Sequence, residues 1–160
     1  VVFLGYPDGL LENTLHLRRQ LCGLLRQYQP HILMTIDSWR PYQLHPDHRA
    51  AGRAAMDAVY AAREWYVFPE QLMGHTEPWR VREAYLFWTD HADHWEDVAC
   101  CIEARIAALA RHVSQVGQDT EKLEKRIREW AQKAGDQARE QLDISEGYAY
   151  AEGFKRFTFR

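Results

Sequence analysis

The sequence predicts an α/β fold with a mostly parallel sheet. Short, continuously apolar segments that are typical of buried strands alternate along the chain with amphipathic helical segments. Strands buried on both faces occur mainly in parallel sheets that helices cover on either side. A chain of 160 residues is long enough for one domain with a substantial core. We therefore expect residues 1–160 to form a single domain.

The first part of the chain predicts two strands around one helix. Residues 1–4 are short and apolar, so we predict a buried strand. Asn13 or Thr14 provides the N-cap of a helix, which Pro30 ends because proline lacks a backbone N–H. Residues 31–36 are again continuously apolar and predict a second buried strand, followed by a long polar loop.

A second helix is predicted to begin at Pro46 and to extend to about Ala62. Proline is favourable in the first helical turn because the N–H that it lacks would be unpaired there. Met56, Val59 and Tyr60 are predicted on the inner side of this helix. The helix follows the carboxyl end of the second strand, which is the edge where parallel α/β sheets bind their ligands.

The second half of the chain continues the alternation. Residues 83–88 predict a third strand, and residues 90–97 are polar and predict an irregular segment. Residues 99–115 predict a helix. Residues 148–159 are aromatic and alternate with polar residues, which predicts a final strand.

A long helix is predicted between the last helix and the last strand. Asp119 is its N-cap, and it ends near Leu142. Four apolar residues lie on one stripe of it: Leu123, Ile127, Trp130 and Ala134. The stripe has two interpretations, a cover for the sheet and the face of a homo-oligomer, of which the first is favoured.

Composition excludes several classes of protein. The net charge is −3 and the signs are mixed along the chain, so the basic stripe of a nucleic-acid-binding protein is not present. No apolar run approaches the roughly 20 residues of a membrane helix, and residues 1–4 are too short for a secretion signal. Three cysteines without a disulfide spacing indicate reduced thiols in a cytoplasmic protein. The chain does not begin with Met and is interpreted as part of a longer protein.

The segment His45-Pro46-Asp47-His48 is the densest group of reactive side chains at the predicted ligand-binding edge. Its histidines are three residues apart at a helix start, so they lie on one face. Imidazole suits zinc, and a neighbouring carboxylate can orient an imidazole through its second N–H. From spacing and position alone, a metal site and a solvated pair of histidines remain open in equal measure.

Other histidines are weaker candidates. Residues 89–97 contain His91 and His94 among acidic side chains, and this segment is either an accessory metal site or, as we favour, a solvated loop. His112 is interpreted as a partly buried, hydrogen-bonded helix residue. The remaining histidines have no partner of their own and are assigned structural or surface roles: His16, His31 and His75.

Several short segments together resemble one enzyme family. They are Val2-Phe3-Leu4-Gly5-Tyr6-Pro7-Asp8-Gly9, then His45-Pro46-Asp47-His48-Arg49-Ala50-Ala51-Gly52, then Asp97-Val98, Ala110-Arg111-His112-Val113-Ser114-Gln115, and Tyr150-Ala151-Glu152-Gly153-Phe154. In this order they resemble the LmbE-like, or PIG-L, family of zinc-dependent N-deacetylases. The resemblance spans nearly the whole chain, and the segment that begins at His45 is its most specific part.

The resemblance implies a fold, a reaction and a role for each matching residue. The fold is a Rossmann-like three-layer sandwich, and the reaction removes an N-acetyl group from a small amino-sugar-type substrate. His48 is implied to be a zinc ligand. His45 is implied to stabilise the oxyanion or protonate the leaving amine, with Asp47 as its supporting carboxylate. Asp8 and Gln115 are implied to face the substrate.

One part of the family pattern has no match in the chain. The first family motif, AHPDDE, supplies a His and an Asp zinc ligand and the Asp that acts as general base. It belongs to an amino-terminal strand-loop unit that is absent here, so the chain corresponds to about the carboxyl-terminal two-thirds of the domain. We expect the remaining zinc ligands upstream of Val1. Some members also carry a tyrosine where Gln43 stands here, with Tyr42 one residue away.

Three hypotheses follow for the function. The first is a cytoplasmic zinc-dependent N-deacetylase. The second is a catalytically incomplete member that acts as a binding or scaffold protein. The third is a different metal-dependent hydrolase, for instance one that acts on phosphoesters.

Overall fold

The structure is a computed structural model that describes residues 1–74 and 76–160. The chain divides into two compact units, the first comprising Val1–His91 with Lys155–Arg160 and the second comprising Ala92–Phe154. Among the described residues, no helix combines the length and the apolar character needed to cross a membrane.

The first unit begins with an extended segment and a well-capped helix. Helix α1 comprises Leu15–Tyr28, and the hydroxyl of Thr14 accepts a hydrogen bond from the N–H of Leu17 at 3.1 Å. This bond pairs one of the N–H groups that a helix start leaves free. The predicted cap is therefore confirmed. Helix α1 ends at Gln29, directly before Pro30.

Residues 1–4 do not form the predicted strand. Within the described residues no strand pairs with them, and Val1 and Phe3 are almost fully exposed. A strand is stabilised by hydrogen bonds to a neighbouring strand and by burial of its side chains. Among the described residues this segment has neither, so its apolar composition alone did not determine its structure.

The sheet of the first unit contains one parallel and one antiparallel pair. Strand β1, Ile32–Ile36, pairs in parallel with β2, Glu83–Phe87. Strand β4, Ala151–Thr158, pairs antiparallel with β2 through residues 155–158. The prediction of a mostly parallel sheet is therefore not confirmed, because the sheet is mixed. An apolar segment indicates burial but not the direction of the neighbouring strand.

Helix α2, Pro46–Arg63, packs against β1 and α1 and confirms the predicted helix. A Cβ at Gly52 would overlap the carbonyl oxygen of Ile36, so only glycine allows the helix to come this close to β1. Val59 is buried as predicted, whereas Tyr60 is 57% exposed. Successive helical residues are about 100° apart around the axis, which turns Tyr60 away from the core.

A buried arginine closes the carboxyl end of α2. Arg26 of α1 is 1% exposed, and among the described residues the hydrogen-bond acceptors of its guanidinium are uncharged oxygens. The acceptors are the carbonyls of Ala61, Ala62, Glu64, Val67 and Phe68 and the side-chain oxygen of Gln71, at 2.8–3.2 Å. The last carbonyls of a helix have no partner within the helix. Arg26 therefore pairs the end of α2 and fixes the turn that follows it.

The second unit begins with a strand that the sequence did not predict. Strand β3, His94–Asp97, pairs antiparallel with the first half of β4, from His94↔Phe154 to Asp97↔Ala151. Trp95 is buried while Glu96 and Asp97 are exposed. A single large apolar side chain is enough to anchor this short strand, although its neighbours are polar.

The predicted helix at residues 99–115 is divided in two. Helix α3 comprises Ile102–Ala110 and helix α4 comprises Val113–Val116. The N–H of Arg111 donates back to the carbonyl of Ala108, which closes the last turn of α3. The backbone then leaves the helical region at His112, with φ of −90° and ψ of 56°.

Helix α5, Thr120–Leu142, confirms the long predicted helix and its cap. Asp119 accepts a hydrogen bond from the N–H of Lys122 at 2.9 Å. The apolar stripe contacts α3 and β3, but Trp130 is 59% exposed and stacks beneath Arg126. Ala131, one residue further, occupies the buried position instead. The alternative use of this helix in a homo-oligomer stays a prediction.

Candidate active site

The site lies at the carboxyl ends of β1 and β2 in the first unit. The N–H of Asp37, directly after β1, donates to the carbonyl of Phe87, the last residue of β2, at 2.9 Å. Three residues after Asp37, the Nε of Arg40 lies 3.1 Å from a carboxylate oxygen of Asp90. These contacts hold the two segments that follow the strands side by side. The start of α2 faces this edge because Gly52 packs against Ile36.

His45 is the N-cap of α2, and this role fixes its tautomer. Its Nδ1 accepts a hydrogen bond from the backbone N–H of Asp47 at 3.2 Å. A backbone N–H can only donate, so Nδ1 carries a lone pair, and in the neutral ring the proton is on Nε2. His45 is exposed. It therefore presents an N–H donor to the surroundings of the helix start.

Asp47 joins the start of α2 to the amino-terminal segment. Its two carboxylate oxygens accept hydrogen bonds from the backbone N–H groups of Gly9 and Leu11 at 2.7 and 3.0 Å. Partial burial acts to raise the pKa of Asp47, but these two bonds and the neighbouring histidines outweigh it, so the pKa is lowered. The carboxylate thus holds the segment that carries Asp8 next to His45.

His48 lies one helical turn from His45, and its ring packs between aromatic neighbours. The two imidazole rings are stacked with centroids 4.3 Å apart and an angle of 12° between their planes. The indole of Trp88 lies 5.5 Å from the His48 ring, at 57°. The buried Nδ1 of His48 has no hydrogen-bond partner in the described part of the chain.

Burial and the neighbouring His45 favour the neutral form of His48. Burial is the largest cause that lowers the pKa of His48, and the neighbouring His45 lowers it further, while Asp47 and Asp8 act in the opposite direction. A metal ion binds the neutral imidazole through a free lone pair. A neutral ring with an unpaired, buried nitrogen therefore fits a residue that serves as a metal ligand.

A second group of possible metal-ligating atoms lies beside His48. Ligand atoms of Asp8, His45 and Asp47 are all within 4.8 Å of one another. Nitrogen and carboxylate oxygen donors suit zinc. Both oxygens of Asp47 already accept backbone hydrogen bonds, and the Nδ1 of His45 does so too. The Nε2 of a neutral His45 carries the ring proton, so the carboxylate of Asp8 is the least committed ligand of this group.

Two of the other candidate residues, Gln115 and His94, belong to the second unit. Gln115 is an exposed residue of α4 in the second unit, so its role stays a prediction. His94 pairs with Glu96 at 2.7 Å, and no metal-binding group containing His91 or His94 occurs among the residues with described positions. His31 packs its ring against Trp79, in agreement with a structural role. His75 lies outside the described residues.

Sequence reasoning overlooked Trp88 as a residue of the site. It is the first residue after β2, at the same sheet edge as the start of α2. Its position directly after a strand was the available signal, since ligand sites of α/β sheets are built from such residues.

Removing the carboxylate of Asp47 should release the segment that carries Asp8. For Asp47→Ala, hydrogen exchange at the amides of Gly9 and Leu11 should become roughly two- to tenfold faster, since each loses its acceptor. In the unchanged protein the pKa of Asp47 is lowered, so its carboxylate is charged and both hydrogen bonds persist at any pH above the usual carboxyl pKa. They should be lost only as the pH falls through the lower value of the folded state.

Asp57→Ala is the matched control for this measurement. Asp57 also lies on α2, but it pairs with the side chains of Asn13 and Arg18 instead of with backbone amides. Exchange at Gly9 and Leu11 should be unchanged in this variant. Unchanged exchange in Asp47→Ala as well would contradict the anchoring role of Asp47.

Comparisons with known proteins agree with the resemblance seen in the sequence motifs. The model of the PIG-L family, GlcNAc-PI de-N-acetylase, matches residues 1–59. The match covers the amino-terminal segment with Asp8, helix α1, strand β1 and most of α2, including His45 and His48. The predicted resemblance to the PIG-L, or LmbE-like, family of deacetylases is confirmed.

Two curated relatives are deacetylases of N-acetylated sugars. The diacetylchitobiose deacetylase of Thermococcus kodakarensis is 28% identical over 95% of this chain and 54% of its own length. The 1D-myo-inositol 2-acetamido-2-deoxy-alpha-D-glucopyranoside deacetylase of a Mycobacterium species is 29% identical over 60% of this chain and 37% of its own length. The chain thus spans about half the length, or less, of these relatives.

A solved structure supports the same fold. The N,N′-diacetylchitobiose deacetylase from Pyrococcus horikoshii, solved with an inhibitor, superposes with a TM-score of 0.83 and 27% sequence identity. The superposition covers 97% of this chain and 56% of that chain. The chain therefore has an α/β fold that matches part of the structure of an LmbE-like deacetylase.

Proposed function

We propose that this chain is the larger part of a zinc-dependent hydrolase that removes the N-acetyl group from an amino-sugar substrate. The observation that carries the proposal is the state of the two histidines at the start of α2. The ring of His45 is fixed as an Nε2–H donor by the backbone N–H of Asp47. The His48 ring stacked on it has a lowered pKa and a buried Nδ1 that has no hydrogen-bond partner in the described part of the chain. A hydrogen-bond donor and a metal ligand side by side are two of the groups that metal-assisted amide hydrolysis uses.

His48 is proposed to be one zinc ligand, as the resemblance implies. When bound, zinc lowers the pKa of a water molecule toward about 7 and polarises an amide carbonyl. One histidine cannot hold the ion alone, since catalytic zinc sites use about three protein ligands. We propose that the others, and the aspartate that acts as general base, lie in a segment before Val1 of the complete protein, with Asp8 as a nearby acidic neighbour.

His45 is proposed to donate its Nε2–H to the developing oxyanion or to the leaving amine. The donor is fixed in place before substrate binds, because the cap hydrogen bond and the stacking on His48 restrict the ring. A fixed donor does not have to reorganise during the reaction. Asp47 is proposed to support this residue through the helix start, since its own oxygens are occupied by Gly9 and Leu11.

Asp8 and Gln115 are proposed to contact the substrate. The anchoring by Asp47 keeps Asp8 within reach of His45, where a carboxylate can accept hydrogen bonds from sugar hydroxyls. The support for Gln115 is the resemblance of the segment around it. The same resemblance underlies the proposal that the complete domain is a Rossmann-like three-layer sandwich. The three cysteines without a disulfide spacing underlie the proposal that the protein is cytoplasmic.

The test is a pair of assays on the whole protein that contains this chain. With zinc supplied, it should release acetate from N-acetylglucosamine or a short N-acetylated sugar, and free a primary amine in equal amount. It should release no phosphate from a sugar phosphoester in the parallel assay. Phosphate release without acetate would favour the phosphoesterase hypothesis, and binding of the sugar without either product would favour the scaffold hypothesis.

A further inference from the structure

Trp88 is a bulky residue in a backbone conformation that its side chain disfavours. Its φ is +57°, in the left-handed region where an L side chain crowds the following carbonyl and glycine is the usual residue. Tryptophan in this region persists only where the surroundings hold it, and such residues concentrate at functional sites. Trp88 directly follows β2, at the edge of the sheet where the start of α2 lies.

Contacts on either side of Trp88 hold this conformation. The carbonyl of the preceding residue, Phe87, accepts the N–H of Asp37. Two residues after Trp88, Asp90 forms its ion pair with Arg40. The segment after β2 is therefore fixed to the segment after β1 at both ends of the unfavourable residue. The position that glycine would usually occupy therefore carries an indole, which lies at the sheet edge beside the start of α2.

The indole combines a fixed contact with an open surface. It packs against His48 with ring centroids 5.5 Å apart, yet 55% of the residue is exposed. A pyranose ring presents C–H groups on one face, and these are attracted to the electron-rich face of an aromatic ring. An exposed indole beside the proposed zinc ligand is suited to this contact.

We propose that Trp88 is a specificity-determining residue whose open indole face stacks on the pyranose ring that carries the N-acetyl group. The inference rests on the proposed function and adds the residue that selects a sugar over an acyclic amide. Stacking on Trp88 holds the sugar at a fixed place relative to His48 and thereby directs its acetamido group toward the pair formed by His48 and His45.

The kinetic test compares a sugar with an acyclic amide in the whole, zinc-supplied protein. In Trp88→Ala, kcat/KM for N-acetylglucosamine should fall about tenfold, mainly through KM, which is the size of effect that one lost aromatic contact produces. For N-acetylethanolamine it should change less than about twofold. Trp88→Phe should restore most of the loss. An equal fall for both substrates would overturn the proposal.

Trp65→Ala is the matched control. Trp65 is 60% exposed and follows the other end of α2, a helix whose 18 residues span about 27 Å. This variant removes an equally exposed indole from the same unit without touching the site. It should leave both substrates unaffected.

Two further measurements separate recognition from stability and from catalysis. Trp88→Gly relieves the left-handed backbone, so its Tm should not be lower than that of Trp88→Ala, yet it should lose sugar selectivity equally. Saturation-transfer NMR with N-acetylglucosamine on metal-free protein should show binding that Trp88→Ala weakens and Trp65→Ala does not. If no acetate is released at all, the proposed function fails, and this binding experiment still tests whether Trp88 contacts the sugar. Unchanged binding in Trp88→Ala would overturn the proposal.

Discussion

Replacing His45 with asparagine should lower kcat for acetate release by about 10²–10³-fold, the usual effect of removing one oxyanion donor. Asparagine is among the best N-cap residues and accepts a backbone N–H in the same way. The helix start should therefore survive, and only the imidazole Nε2–H should be lost. The measurement is kcat with saturating N-acetylated sugar, together with the free energy of unfolding of each variant.

Two variants make the result for His45 specific. His45→Ala removes both the cap and the donor, so it should lose the same activity and, in addition, about 1 kcal/mol of stability. His16→Asn changes an exposed histidine on α1 and should leave both quantities unaffected. If His45→Asn retained turnover within about threefold of the unchanged protein, His45 would not be the donor.

Replacing Arg26 with methionine should lower the free energy of unfolding by about 3–5 kcal/mol. The substitution keeps most of the volume but leaves several buried carbonyls at the end of α2 and in the following turn without a donor. Each unpaired, buried polar group costs about 1–3 kcal/mol, and relaxation with entry of water reduces the sum. Urea unfolding monitored by circular dichroism measures the change.

Arg19→Met is the matched control for Arg26. Arg19 lies on the same helix, but its side chain is half exposed and pairs with Glu70 at the surface. Such pairs contribute about 0–1 kcal/mol. Arg26→Lys should recover little of the loss, because an ammonium cannot reach acceptors spread over the same area. Equal losses for Arg26→Met and Arg19→Met would contradict the structural role assigned to the buried guanidinium.

The sequence was informative where local chemistry decides the structure. Thr14 and Asp119 cap the helices that were predicted to follow them, and Pro46 begins α2. In each case a side chain or a proline ring acts on backbone groups within a few residues. Such interactions require no knowledge of the rest of the fold.

Features that depend on distant partners were predicted less well. Residues 1–4 and β3 show opposite errors. Within the described part of the chain no strand pairs with the apolar residues 1–4, whereas the polar segment His94–Asp97 pairs with β4. Arg26 was assigned no role, since its acceptors lie 35–45 residues away along the chain. Charged residues are rarely buried, so a pattern of hydrophobicity would place Arg26 at the surface.

The candidate site follows the same division. The motif at His45–His48 was identified from its residues, and its position at the carboxyl end of β1 was expected. Three details required the structure: the tautomer of His45, the anchoring of Gly9 and Leu11 by Asp47, and the contact of Trp88 with His48. The contacts of Asp47 and Trp88 join segments that lie far apart in the sequence. The tautomer of His45 depends on which of its two ring nitrogens carries the proton.

The proposed roles of His45 as the hydrogen-bond donor and of His48 as a zinc ligand are tested most directly by the zinc content of two variants of the whole protein. The unchanged protein and His45→Asn should each hold about one zinc ion per chain after loading and removal of excess metal. His48→Ala should hold almost none, because a ligand is lost. Equal zinc loss in both variants, or full zinc content in His48→Ala, would contradict the assignment of His48 to the metal and His45 to the reacting groups.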